Sequence, residues 1–393
     1  MKIMSINAGS SSLKFSLFNM DTKEVLLSGL FERIGIEGSC YTLEYGEYKI
    51  KNEALMETHL DAVKILMDKL LELKIVNSLE EIDGIGHRIV HGGAIYKESV
   101  VVTDKVLDDI IALSDLAPLH NPAHAMCIKA FREVLPNTPM VVVFDTAFHQ
   151  TIEKDRFLYP VPYNWYTDYQ VRKYGAHGTS HRYVAKKLQE ELGRDDLNII
   201  SCHLGNGGSI TAISNGKCVD TSMGFTPHAG IMMGTRSGDI DVSIVPYVME
   251  KEGKSANEIM NDLNKKSGFL GISELSSDSR DIENGIKEGN EKCILAQKMY
   301  INSIVKYIAQ YYVLLGKVDA LVFTAGIGEN SPETRLAVVE ALAPLGIKID
   351  ALKNNVRGKF TQVNADDSTC EIYVLPTNEE LMIAKDTLDI INR

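Results

Sequence analysis

The sequence predicts an α/β protein built from two similar halves with a cleft between them, on three observations. Strand-like runs alternate with amphipathic helical stretches along the whole chain. A strand-turn-strand unit at the start (SINAGSSSLKF) is echoed about 200 residues later in Asn198–Ser214 (NIISCHLGNGGSITAIS), with Gly208-Ser209-Ile210 standing where Ser11-Ser12-Leu13 stood. A second echo keeps the same order: IDGIGHRIVHGG (82–93) against VDALVFTAGIGEN (318–330), each a strand running into a glycine loop. Two pairs in one order favour an internal duplication. The domains expected are 1–150 and 151–379, with the terminal helix 380–393 packing back on the first.

In Met1–Phe18 an apolar run enters the cluster Asn7-Ala8-Gly9-Ser10-Ser11-Ser12, and Leu13, Phe15 and Leu17 alternate with polar residues beyond it. A P-loop would need G-x-x-x-x-G-K-[ST] opening a helix, and neither spacing nor helix is present. What remains is a hairpin: an ordinary tight turn, or one whose backbone N–H groups cradle an anion. Residues 22–51 read as short strands and turns. The stripe Leu60, Val63, Leu66, Met67, Leu70 and Leu71 predicts a helix over Glu53–Leu73. Ile82–Gly93 is a strand delivering Arg88 and His91 into a glycine loop. Thr103 caps a helix through Leu113, and Pro122 suits the first turn of the helix after the rigid Leu116–Pro122 loop.

The unbroken apolar run ending at Phe144 is a buried strand whose end carries Asp145 into a crevice. Residues 150–176, aromatic and proline-containing, mark the domain boundary. A helix over Thr179–Leu192 follows, then the second hairpin. Met233–Asp241 (MGTRSGDID) is a glycine loop with one arginine, followed by helices near 242–252 and 255–265. Ser276–Asp281 reads as a polar turn, Gly289–Leu315 as a long helix, and Ser331-Pro332 as the cap and first position of a helix to about Ala343. A strand around Tyr373 leads into the last helix.

At 393 residues, 45% hydrophobic and 24% charged, the chain can bury two or three cores. A net charge of −12 argues against nucleic acid or an anionic membrane as partner. No apolar run reaches membrane-spanning length, Met1-Lys2 leads into a strand rather than a signal peptide, and the six scattered cysteines read as reduced cytoplasmic thiols. Of the ten histidines, all but His59 fall between His87 and His228, beside glycines, prolines and arginines. Loops on a rigid scaffold carry function, so a site is expected there.

The histidine pairs 177/181 and 120/124 lack the HExxH glutamate, no G-x-S-x-G nucleophile is present, and Gly326-Ile-Gly328 lacks the third glycine of a dinucleotide fingerprint. A phosphoryl-transfer site without a Walker motif fits better. It needs backbone donors, carboxylates for a metal and cations for the transferring group. The glycine turns at 205–208 and 326–328, then Asp145 and Glu379, then Arg88, Arg236 and His177 supply these in turn. Singly, each arginine is as readily a structural ion-pair partner.

SINAGSSSLK, GHRIVHGG, LAPLHNP, FDTAFH, YGAHGTSH, HLGNGGS, MGTRSGDID, TAGIGEN and TNEE occur in one order along nearly the whole chain, and together they resemble the acetate kinase (acetokinase) family. The resemblance implies two duplicated ribonuclease H-like (actin-like ATPase) domains with a nucleotide cleft between them, as in the sugar kinases, heat-shock chaperones and actins. It also implies a homodimer and reversible, Mg²⁺-dependent transfer of the ATP γ-phosphate to acetate, with Mn²⁺ as a substitute ion. By that resemblance, Asn7 and Glu379 are the metal positions, and Asp145, His177, Arg236 and Arg88 the catalytic ones. Val90, Leu119 and Pro227, with Arg88 and His120, form the acetate site. Lys14, His203, Leu204, Gly205, Asn206, Gly207, Asp278, Ser279, Arg280, Gly326, Ile327, Gly328, Glu329 and Asn330 meet the nucleotide. Two departures, Val242 after GDID and His228-Ala229, lie off the transferring atoms.

Two alternatives remain open on the sequence. Propionate or butyrate kinase differs by a methylene or two, worth about 1–3 kcal/mol each. A nucleotide switch of the chaperone or actin kind would bind ATP with no need of Arg88 and Arg236.

Overall fold

The repeated hairpins open two sheets of matching topology. In the computed structural model, which describes residues 1–118 and 120–393, the chain divides into a first unit of Met1–Phe148 with Asn378–Arg393 and a second of His149–Thr377. The first sheet comprises β1 (Lys2–Ala8), β2 (Ser12–Asn19), β3 (Glu24–Glu32), β4 (Cys40–Tyr45), β5 (Tyr48–Glu53), β6 (Gly84–Ile89), β7 (Val100–Val101) and β8 (Met140–Phe144), in the order β5-β4-β3-β2-β1-β6-β8-β7. The second comprises β9 (Asn198–Leu204), β10 (Gly208–Ser214), β11 (Lys217–Thr221), β12 (Ala320–Thr324), β13 (Thr361–Gln362) and β14 (Glu371–Val374), in the order β11-β10-β9-β12-β14-β13.

The correspondence runs strand by strand. β1 pairs antiparallel with β2 and parallel with β6, as β9 does with β10 and β12. β6 then pairs parallel with β8, as β12 does with β14, and β7 and β13 close their sheets antiparallel. The strands echoed in sequence, β6 and β12, hold equivalent places.

Each sheet buries its own core. In the first unit Phe15, Phe31, Phe131 and Phe144 pack with the helices His59–Glu72 and Asn121–Val134; a buried side chain of this size contributes about 1.5–3 kcal/mol. The other face of this sheet meets the helix Glu379–Ile391 through Ile3, Phe18 and Ala384, and through Val141, Val143 and Ile383. Gly86 permits that approach: a Cβ there would come within 2.2 Å of Thr387 Oγ1 and 2.6 Å of Ile383 Cγ2. In the second unit the long helix Glu291–Leu315 lays Tyr300, Ile304, Ile308 and Tyr311 against Ile200, Ile210 and Phe323.

Four expectations are corrected. The helix expected from Glu53 begins at His59, because residue 53 still belongs to edge strand β5 and Thr58 and Asp61 form a reciprocal capping box. The Ser276–Asp281 turn becomes a helix from Ser279, capped by Asp278. The 326–328 turn is a short helix, Ala325–Asn330, entered through a left-handed Ala325 (φ 64°). Residues 150–176 lie wholly in the second unit and include the short helices Lys154–Phe157 and Asn164–Tyr169.

Candidate active site

In the first unit, the ends of β1, β6 and β8 and the start of the last helix carry one polar cluster. Arg88, near the end of β6, donates from Nε (3.0 Å) and Nη2 (2.5 Å) to Asp145 Oδ2, and from Nη1 to Asn7 Oδ1 (3.2 Å). Burial alone would pull the guanidinium down, but the Asp145, Glu379 and Glu380 charges and the Asp145 hydrogen bonds together outweigh it and hold the group above its usual range. Glu379, at the first turn of its helix, goes the other way. Burial first, then Asp145 and Glu380, push its carboxyl up to about 7, and Arg88 and Lys14 only partly oppose them. Lys14 itself is ion-paired with Glu380. Val90 donates its N–H to His124 Nδ1 (3.4 Å), and His120 stands exposed at the N-cap of the helix Asn121–Val134. Leu119 lies outside the described residues.

The second unit gathers the remaining candidates around two features. His177 caps the helix Gly178–Leu192 in a left-handed conformation (φ 58°, ψ 21°), a strained backbone for a non-glycine residue. Its ring stacks on His203 at 4.1 Å, and its Nδ1 meets Ser209 Oγ at 2.9 Å. Arg236 donates from Nη1 to Pro227 O (2.7 Å) and touches Met233 Sδ (3.5 Å). It makes no ion pair among the described residues, and burial pulls its guanidinium below the usual arginine range.

The other feature is a cavity of about 570 Å³, large enough for a nucleoside. Of the expected nucleotide residues, Gly205, Asn206, Asp278, Ser279, Arg280, Gly326, Ile327 and Asn330 line it. Lys14, His203, Leu204, Gly207, Gly328 and Glu329 are not among its lining residues. Glu329 serves the loop itself: its Oε1 accepts from the N–H groups of Ala325 (2.8 Å) and Thr377 (3.1 Å). Arg280 folds onto Asp278, whose carboxyl it holds down at about 2.

Comparison with known proteins decides the family. Residues 2–385 match the acetokinase family. The chain is 53% identical over 388 residues to the acetate kinase of Aster yellows witches'-broom phytoplasma, covering 99% of this chain and 95% of that protein. It is 52% identical over 389 residues to the acetate kinase of Bacillus subtilis, covering 98% of each. The crystal structure of Porphyromonas gingivalis acetate kinase superposes with a TM-score of 0.96 at 44% identity over 99% of both chains. A propionate kinase from Francisella tularensis gives 0.94 at 43% identity, again over 99% of both.

The chain belongs to the acetokinase family.

Its two-sheet α/β fold is the one the resemblance implied. This acetokinase chain also uses residues that sequence reasoning passed over. His59, the histidine set apart from the others, fixes the opening turn through Nε2 to Gly9 O (2.8 Å). Glu283 and Arg357 line the cavity beside the expected residues. Arg335 is fully buried and donates to Gly328 O, Asn354 Oδ1 and O, and Val356 O, each at 2.8 Å, which clamps the 325–330 helix from behind. None of these carries a local motif; only their distant partners reveal them.

Proposed function

We propose that the chain catalyses reversible transfer of the ATP γ-phosphate to acetate, giving acetyl phosphate and ADP by direct in-line attack. One observation carries this beyond family membership: Arg236 is a half-buried cation with no ion-pair partner among the described residues, next to the glycine turn at Gly207. A carboxylate attacking a phosphate brings two anions together, and such a cation offsets their repulsion. Acetate is ionised at neutral pH and needs no strong base, in keeping with the absence of a nucleophile motif.

In this reading Arg88, held in place by Asp145, binds the acetate carboxylate, and Val90, Leu119, His120 and Pro227 are the acetate-binding residues that the family resemblance implies. Arg236 and His177 stabilise the transferring phosphoryl group. The 570 Å³ cavity takes the nucleoside of ATP. The first unit's cluster suits a hard dication: Asn7 and Glu379 offer oxygen donors, with the Asp145 and Glu380 carboxylates close enough to raise the Glu379 carboxyl further after burial has done so. Asn7 and Glu379 would hold Mg²⁺ there, or Mn²⁺ in its place. Bound, the ion would neutralise charge on the phosphates.

We further propose a homodimer, supported by the exposed apolar side chains Tyr163, Tyr169, Val242 and Tyr247 of the second unit. We place the protein in the cytoplasm: all six cysteines are unpaired, and no helix among the described residues is long and apolar enough to cross a membrane. Light scattering in solution tests the first of these.

The test of the reaction is to supply ATP and Mg²⁺ with acetate, propionate or butyrate and trap the acyl phosphate with hydroxylamine. Acetate is expected to give the highest kcat/KM. The 43% identity to a propionate kinase makes propionate the second reading, which a higher kcat/KM with propionate would establish. No hydroxamate from any acid would leave only nucleotide binding.

A further inference from the structure

Behind His177 lies a row of buried groups with no assigned role. His177 Nδ1 is 2.9 Å from Ser209 Oγ, Ser209 Oγ is 2.7 Å from His181 Nε2, and His181 Nδ1 is 2.9 Å from Ser201 Oγ. Ser201, Ser209 and His181 are fully buried. The row is therefore shut off from bulk water, and its protons are distributed among its own members.

That requirement fixes a direction. Among the described residues Ser201 Oγ has one hydrogen-bond partner, His181 Nδ1. A buried hydroxyl must donate somewhere, so Ser201 donates to Nδ1 and Nδ1 bears no proton. His181 is kept neutral by burial and by its neighbours His203 and His149. Its single proton is then on Nε2, which donates to Ser209 Oγ. The Ser209 hydroxyl, having accepted there, donates onward to His177 Nδ1. A neutral His177 in that arrangement carries its proton on Nε2. The reverse order would leave the Ser201 hydroxyl proton with no acceptor. Two features keep His177 in place to receive this bond: its strained left-handed backbone and its stack on His203, which is itself tied to Ser180 Oγ at 2.8 Å.

We propose that Ser209 and His181 are positioning residues which, with Ser201, fix the tautomer of His177 so that its Nε2–H is the donor offered to the transferring phosphoryl group. The proposal rests on the reading above of what His177 does. The relay moves no net proton during turnover; it settles beforehand which ring nitrogen donates.

Nitrogen-15 NMR of the histidine-labelled full chain tests the relay without reference to activity, with the His177 signals assigned by their loss in His177→Gln. The expected spectrum of the wild type shows His177 and His181 neutral and protonated on Nε2. Ser209→Ala should give His177 a mixture of tautomers, with kcat falling 10-fold or more while KM for ATP and for acetate stays within about twofold. His181→Phe should behave alike, whereas His181→Gln, whose amide reaches the Nε2 position, should retain most of the turnover. A wild-type His177 protonated on Nδ1 overturns the proposal, even if the variants fail to fold. So does a folded Ser209→Ala enzyme with normal kcat. Absence of acetyl phosphate from the wild type would instead sink the functional reading, with the tautomer result still standing.

Discussion

Both donors that Arg88 directs at Asp145 converge on one carboxylate oxygen, with Nε at 3.0 Å and Nη2 at 2.5 Å from Oδ2. Asp145 is 1% exposed and Arg88 22%, so the pair is shielded on one side and open on the other. The aspartate therefore aims the guanidinium as well as balancing it. Asp145→Asn keeps the shape and removes the charge. We expect kcat to drop on the order of 10²–10³ and KM for acetate to rise, measured by the hydroxamate assay. A variant within threefold of wild type in both constants would show that Arg88 needs no such support.

Arg236 has no anionic partner among the described residues, so its removal should be cheap for the fold and expensive for the reaction. Arg236→Ala is expected to lose about 10²–10³ in kcat with Tm nearly unchanged. Arg236→Lys should recover little, because an ammonium cannot reproduce the planar fork. Near-normal turnover in the alanine variant would remove Arg236 from the catalytic set.

The first unit contains three histidines that burial holds neutral: His87 and His124 near a pKa of about 3, and His91 near about 4. In the unfolded chain each takes up a proton near pH 6.5. Between pH 6.5 and about 4 the unfolded state thus binds more protons, and stability falls as the pH falls. Each such group costs about 1.4 kcal/mol per pH unit below 6.5. His87 offers the clearest test, since its Nε2 has no partner among the described residues and its ring stands edge-on to Phe131. His87→Leu should shift the acid-unfolding midpoint, followed by circular dichroism, to lower pH. An unchanged midpoint would mean that His87 protonates in the folded state.

Chelation with EDTA should abolish turnover, and added Mg²⁺ should restore it. Glu379→Gln removes one charge from the cluster with little change of shape. The Mg²⁺ concentration for half-maximal rate is expected to rise by at least ~10-fold. Were it unaltered, the metal would have to be held by other groups.

Gly234 lies where a side chain would meet the turn at Asn206. A Cβ there would come within 1.8 Å of Asn206 Oδ1 and 2.9 Å of Ser277 O, and both neighbours line the cavity. Gly234→Ala should raise KM for ATP several-fold while leaving KM for acetate alone, at a stability cost of about 1–3 kcal/mol. Equal rises in both constants would point to a general distortion.

How much was legible in the sequence depends on how far apart the partners lie. Thr103, Ser331-Pro332 and the two hairpins were readable because each cap or turn involves neighbours a few residues away. The glycine of β6 that admits the last helix answers to Thr387 and Ile383, some 300 residues on, and no local pattern announces it. His59 is likewise explained only by Gly9, and Arg335 only by carbonyls at 328, 354 and 356. The helix at Ala325–Asn330 was missed because its entry depends on positive φ at an alanine, which composition does not signal. Arg88 and Arg236 were found as candidates, but their different electrostatic states emerge only from the folded surroundings.

The helix Glu379–Ile391 completes the first unit although the whole second unit precedes it in the chain. During synthesis at roughly 5–20 residues per second, the second unit takes on the order of 10–50 s to emerge. For that interval the nascent sheet presents Ile3, Phe18, Val141 and Val143 to water without their cover. A ribosome-bound chain therefore passes through a sticky stage, during which chaperone holding would raise the yield of folded protein.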